Sequence, residues 1–157
     1  MKRRILLVDD DLAVLLTLKA VLELHGFEVE TANSSAEAFA RLDSGIYQMV
    51  ISDLRMETED AGLEVLRRAR RQAYDPATAL LTAYPPSDGS WRGEHRRGEG
   101  QNHENGTGQN SHSLLIKPLG TTELLRQVEA RLVSHADQQS RQRNLNSRAQ
   151  ETRRPAE

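Results

Sequence analysis

Ile46-Tyr-Gln-Met-Val-Ile-Ser-Asp-Leu-Arg-Met56 is the stretch that decides the fold. Its apolar run, Met49 to Ile51, is short and has no polar side, which suits a strand of a parallel sheet covered on both faces. The run ends on Asp53. A carboxylate just past the carboxyl end of such a strand sits where open α/β sheets place their ligands. Asp53 is thus a candidate nucleophile for a phosphoryl group. A lone acid at a strand end is more often a turn former or a helix cap, so its companions decide the matter.

Upstream, Ile5-Leu6-Leu7-Val8 is a second apolar run, and it breaks on Asp9-Asp10-Asp11. Leu12, Leu15, Leu16, Val21 and Leu22 recur at helical spacing and predict a helix from Leu12 to Leu24, capped by Asp11 and stopped by His25-Gly26. Phe27 to Ala32 alternates as a half-buried strand does. Ser34 or Ser35 then caps a helix through Leu42, ended by Ser44-Gly45.

Downstream, Gly62 to Arg71 reads as a helix with Leu63, Leu66 and Ala69 inward. Asp75-Pro76 marks a turn, and Ala77 to Ala83 a fourth strand that ends at Thr82. Periodicity then fails. Pro85 to Ser113 is rich in Gly, Asn, Gln, His and charge, with Trp91 its only large apolar residue, and reads as a mobile polar loop. Leu114-Leu115-Ile116 is a fifth short strand, followed by Lys117-Pro118 and by a helix capped at Thr121 or Thr122 that runs through Val133. The tail, 134–157, has almost nothing to bury and is expected to be disordered unless the preceding helix frays into it. It is too short and polar for a helix-turn-helix output domain.

Strands and helices that alternate in this way predict one α/β domain over 1–133, a five-stranded parallel sheet with helices on both faces and right-handed crossovers. Asp9, Asp10, Asp53, Thr82 and Lys117 all fall at the carboxyl ends of its strands. Composition narrows the setting. A net charge of -2 gives no reason to expect binding to nucleic acid or membrane, and the tail arginines, Arg141 to Arg154, lack the aromatics that would change this. There is no cysteine, hence no disulfide or thiolate site, and the four apolar residues after the basic start are too few for a signal peptide. A cytoplasmic protein is expected.

Three carboxylates in one crevice repel one another, and such a cluster persists mainly where a cation offsets it. Oxygen ligands without Cys or His favour Mg²⁺ or Mn²⁺. Lys117 is one of three lysines, with Lys2 and Lys19, in a chain that otherwise uses arginine. Its ammonium, a mobile point charge, can reach a phosphoryl oxygen or Asp53, and Pro118 can fix the turn behind it, with a cis bond as one option. The Thr82 hydroxyl can donate to a phosphoryl oxygen. His95, His103 and His112 lie among glutamates, but their irregular spacing fits a solvated loop better than a metal site.

Val8-Asp9-Asp10, Ser52-Asp53-Leu54-Arg55-Met56, Leu81-Thr82-Ala83 and Ile116-Lys117-Pro118, in this order on strands one, three, four and five, resemble the receiver domain of two-component response regulators. The resemblance implies a doubly wound, flavodoxin-like sheet of order 2-1-3-4-5. It implies that Asp53 accepts phosphate from a histidine kinase or histidine phosphotransfer protein. Mg²⁺ would be held by Asp10, Asp53 and the backbone carbonyl of Arg55, with Asp9 assisting. Thr82 would be the switch hydroxyl, Lys117 the phosphoryl contact, and the output an unidentified downstream protein reached by a stand-alone module.

Three departures stand out. Leu114 occupies the position of the family's inward-moving aromatic. Glu57 replaces a proline and is expected to loosen the loop beside the site. The polar stretch 85–113 replaces the helix between strands four and five. Two rival readings remain: a phosphate-independent interaction module, and a haloacid dehalogenase-type phosphatase with Asp9 as nucleophile and Asp11 as general acid. The second leaves Asp53 idle and lacks an acid pair after the fourth strand.

Overall fold

The computed structural model describes residues 2–85, 87 and 112–153. The strands are β1 (Arg4–Val8), β2 (Glu28–Ala32), β3 (Met49–Asp53), β4 (Ala77–Thr82) and β5 (Ser113–Ile116); the helices are α1 (Leu12–Leu24), α2 (Ser35–Ser44), α3 (Ala61–Arg70) and α4 (Thr121–Glu151). All ladder pairs are parallel and the sheet order is β2-β1-β3-β4-β5. This is the expected doubly wound arrangement, and it puts the active crevice at the carboxyl ends of β1, β3 and β4.

The period of two along the strands divides the core. Ile5, Leu7, Met49, Ile51 and Leu81 face Leu15 and Leu22 of α1 and Leu124, Val128 and Leu132 of α4. Leu6, Val8, Val50 and Leu80 face Ala38 and Leu42 of α2 and Leu63, Leu66 and Ala69 of α3. Both faces of the central strands are thus sealed, as the uninterrupted apolar runs require.

Several boundaries have local causes. Asp11 caps α1, its Oδ1 accepting from the N–H of Ala13 at 3.0 Å and of Val14 at 3.3 Å. Gly26 ends the helix region at φ 89, a left-handed conformation that a side chain would strain. Ser34 caps α2, its Oγ accepting from Glu37 N–H at 3.2 Å. Gly62 allows α3 to start against the end of β3, for a Cβ there would lie 1.8 Å from the Asp53 carbonyl oxygen.

Three expectations need correction. The N-cap of α4 is Gly120, not Thr121 or Thr122, and no side chain caps it. The tail is helical to Glu151 rather than disordered, because His135 is buried and donates from Nε2 to the Asp75 carbonyl at 2.7 Å, while Gln139 reaches the same oxygen at 3.0 Å. These contacts carry the helix past Val133, and good helix formers continue it. His112 and Ser113, assigned to the polar loop, are instead a buried residue at the foot of β5 and the first residue of that strand. The remainder of the 85–113 assignment, with His95 and His103, lies outside the described residues apart from Pro85 and Ser87.

Candidate phosphoryl-acceptor site

β1 and β3 end side by side, with Val8 in register with Ser52, and deliver Asp9, Asp10 and Asp53 to one crevice. Each of these acids has a carboxylate oxygen within 4.8 Å of the others. Asp9 is buried, Asp53 half-buried and Asp10 exposed, so the cluster opens to solvent on one side. Asp11 is not among them. Its carboxylate is spent on the α1 cap, which removes the general acid that the phosphatase reading requires.

Lys117 enters from the end of β5. Its Nζ donates to Asp9 Oδ2 at 2.7 Å and stands 3.6 Å from Asp53 Oδ2. The ammonium therefore serves Asp9 first and leaves Asp53 the less compensated acid. Desolvation, then the Asp9 charge, push the Asp53 carboxyl up to about 6; Lys117 and the Leu54 N–H pull it down, and Asp10 adds to the rise. Burial disfavours the charged form of Lys117, but Asp9 and Asp53 outweigh it and hold its pKa above the ordinary lysine value.

Each carboxylate oxygen of Asp9 already has one close donor. Its Oδ1 accepts from Asp11 N–H at 3.0 Å while Oδ2 takes Lys117. Asp53 Oδ1 accepts from Leu54 N–H at 2.9 Å, and Oδ2 has only the longer Lys117 contact. An incoming electrophile or cation thus meets Asp53 and Asp10 before Asp9. Three carboxylates against one ammonium leave the pocket short of positive charge, and the donor set is all oxygen. That is the environment of a hard divalent cation. Arg55, whose carbonyl is the fourth expected ligand, lies exposed on the loop directly after β3.

Thr82 closes the far side. It is buried, its carbonyl accepts from Lys117 N–H at 3.0 Å, and its Oγ1 accepts from Tyr84 N–H at 3.3 Å. The bond between Lys117 and Pro118 is cis. Leu114 packs half-buried against the α2–α3 side of the sheet. The exposed aromatic close to Thr82 in the chain is Tyr84.

Sequence reasoning missed two contacts. Glu57 does not loosen its loop, because its Oε1 accepts from Ser35 N–H at 2.6 Å and from Ser35 Oγ at 3.0 Å. Burial opposes its ionisation, but its own backbone N–H and the Ser35 donors prevail and hold the carboxyl below its ordinary value. His112 pairs Nδ1 with Thr78 Oγ1 at 2.7 Å. Desolvation, helped by Arg70, Arg131 and Arg67, depresses its pKa to about 4. Neither had a local signal, since each partner is more than twenty residues away.

The model of the response regulator receiver domain matches residues 5–89. The alginate biosynthesis transcriptional regulatory protein AlgB of Pseudomonas putida is 42% identical over 85 residues, which are 54% of this chain and 19% of that protein. The CpxR homolog of Haemophilus influenzae, a transcriptional regulatory protein, is 33% identical over 127 residues, 81% of this chain and 49% of that one. The chain therefore spans half or less of these curated relatives. Among solved structures, a CheY-like response regulator receiver domain protein of Methanospirillum hungatei has a TM-score of 0.71 at 23% identity, covering 88% of this chain and 99% of that one. The response regulator protein TrrA of Thermotoga maritima, in complex with Mg²⁺ and BeF, has a TM-score of 0.61 at 30% identity, covering 82% and 97%.

Proposed function

The chain belongs to the response regulator receiver domain family, and from that premise we propose that Asp53 is its phosphoryl acceptor. Phosphorylation on aspartate and Mg²⁺ binding are characteristic of that family. The observation that carries the assignment to Asp53 is the cluster itself: three carboxylates within 4.8 Å, of which Asp53, half-buried, has one oxygen without a close donor and faces a lysine standing off at 3.6 Å.

In the proposed transfer a carboxylate oxygen of Asp53 forms a bond to phosphorus. The bond from phosphorus to the imidazole nitrogen of a phosphohistidine donor breaks, and that nitrogen keeps the electron pair and takes a proton. Asp10, Asp53 and the Arg55 carbonyl would hold Mg²⁺, with Asp9 assisting. The bound ion supplies charge neutralisation at the phosphoryl oxygens. Lys117 leaves its position between Asp9 and Asp53 to meet a phosphoryl oxygen. The Thr82 hydroxyl donates to a phosphoryl oxygen while its Oγ1 also accepts from Tyr84 N–H, so the segment after β4 feels the state of the site. That TrrA is a complex with Mg²⁺ and BeF supports this reading.

The partners we propose are a histidine kinase or histidine phosphotransfer protein upstream and a protein target downstream, in the cytoplasm. No helix among the described residues is long and apolar enough to cross a membrane. The module's own chemistry is limited to taking phosphate from a donor and helping to hydrolyse it.

Incubation with Mg²⁺ and acetyl phosphate, followed by peptide mapping, tests the assignment. Label on Asp53 that disappears in Asp53→Asn is the expected result. Label on Asp9 would point to the phosphatase, and no label to a phosphate-independent interaction module.

A further inference from the structure

The loop from Leu54 to Asp60 carries Arg55 and has short-range bonds of its own, one closing its ends and one spanning Glu57. Gly62 N–H donates to the Leu54 carbonyl at 2.9 Å, and Met56 N–H to that of Thr58 at 3.1 Å. Its middle is also held from outside. Glu57 Oε1 accepts both the backbone N–H and the hydroxyl of Ser35, across 22 residues of sequence.

Ser35 is the first residue of α2, where a helix leaves N–H groups without intrahelical partners and where negative charge is favoured. The Ser34 hydroxyl satisfies one of those groups and Glu57 another. Glu57 is therefore a helix cap supplied from a different loop, through two charge-assisted bonds. The turn between β2 and α2 is in turn fixed to the other half of the acid cluster, for Asp9 N–H donates to the Ala32 carbonyl at 3.1 Å. Residues 32–35 thus form a brace. One end grips the loop of Asp9 and Asp10, and the other grips the loop of Asp53 and Arg55. Like charges gathered from two loops push those loops apart, and a brace across them opposes that.

We propose that Glu57 is a positioning residue for the cation site, its clasp on Ser35 holding the Leu54 to Asp60 loop so that the Arg55 carbonyl stays beside the acid cluster before any cation arrives. The proposal rests on the reading of Asp9, Asp10, Asp53 and Arg55 as that site. The proline usual in the family stiffens this loop through its own backbone. Here the same stiffness comes from a tether and so depends on α2.

The test is Mn²⁺ titration of the full chain without phosphodonor, by calorimetry, with melting of the metal-free variants alongside. Glu57→Ala should weaken Mn²⁺ binding about tenfold, the usual effect of removing a group that orients a ligand. Ser35→Ala keeps the N–H bond and should cost about threefold, the loss of one modest hydrogen bond. The double variant should bind no more weakly than Glu57→Ala, and Glu57→Gln, which retains an acceptor oxygen, should recover part of the loss. Wild-type affinity in folded Glu57→Ala overturns the proposal, even if the melting temperature has dropped, and so does unchanged affinity in Ser35→Ala should Glu57→Ala not fold. A wild-type chain that takes up no Mn²⁺, or an Asp53→Asn variant that binds it equally well, overturns the acid-cluster reading and the clasp with it.

Discussion

The two ends of this sheet handle charge in opposite ways. At the amino-terminal end, Arg4 meets Glu28 at 3.4 Å and hydrogen-bonds Glu30, Arg41 lies 3.8 Å from Glu30, and Arg3 meets Glu129 at 2.6 Å. Tyr47, buried beneath Arg4, donates to Glu30 as well. Each acid there has a base. At the carboxyl end Asp9 and Asp53 share Lys117, and Asp10 adds a third acid to the cluster. Folding alone would favour the first pattern at both ends. The imbalance at the second is stability given up, as expected of the cation and phosphoryl site proposed there.

The largest effect should come from distorting the crowded end through the backbone. Gly62→Ala places a Cβ 1.8 Å from the Asp53 carbonyl oxygen, and backbone must move to make room. We expect a loss of about 3 kcal/mol or more, at the upper end of the range for overpacking, read from urea unfolding. A loss under 1 kcal/mol would mean that the start of α3 is not held against β3 as described.

Next is pH, which acts at the other end, where His112 sits buried beneath β5 beside Thr78 with Arg70, Arg131 and Arg67 in electrostatic reach. Its folded-state pKa, about 4, lies below the unfolded value, about 6.5. Between those values the unfolded chain binds the extra proton. The His112 contribution is therefore full above about pH 6.5 and is lost as pH drops toward 4, on the order of 2–3 kcal/mol. Unfolding at pH 7 and pH 5 measures the slope in an Asp53→Asn background, which removes the opposite contribution of the raised Asp53 carboxyl, and His112→Gln there should flatten it. An equal slope in the variant would assign the effect to other groups.

One carboxylate-to-amide exchange at each end tests the comparison by sign. In the metal-free protein Asp53→Asn relieves repulsion from Asp9 and Asp10 and should stabilise by about 1 kcal/mol. Glu30→Gln weakens the bonds to Arg4 and Tyr47 and should destabilise by a similar amount, about 1 kcal/mol. Added Mg²⁺ should raise the melting temperature of the wild type and of Glu30→Gln but not of Asp53→Asn. The same sign for both substitutions would end the contrast.

What the sequence disclosed follows the same division. Asp9, Asp53, Thr82 and Lys117 were legible because a parallel strand is a short apolar run that stops on a polar residue, so strand ends and candidate ligands are read together. Asp11 as cap and the whole of α1 followed from local chemistry alone. Glu57 was misread for lack of a local cue, since its partner Ser35 is brought near only by the fold. His112 looked like one more polar residue in a polar stretch until β4 supplied Thr78 and β5 began beside it. The length of α4 was hidden for a related reason: Asp75, the group that holds His135 and Gln139, lies 60 and 64 residues upstream.

The smallest effect expected concerns the exposed end of that helix. Asp75 sits at φ 40, a left-handed conformation that aspartate adopts more readily than most side-chain-bearing residues, and its carbonyl is satisfied by His135 and Gln139. From Ser140 onward every described residue is exposed. Helical bonds exposed to water contribute little without packing, so the helix should divide energetically at Gln139. Removing residues 144–157 should shift the melting temperature by no more than about 2 °C. Removing residues 134–157 takes both donors from Asp75 and should cost on the order of 1–2 kcal/mol. If instead the two truncations lower the melting temperature equally, residues 144–157 have a packing role that the exposure of 144–153 does not reveal. If neither lowers it, the amino-terminal end of the sheet does not need α4 past Val133 as its seal.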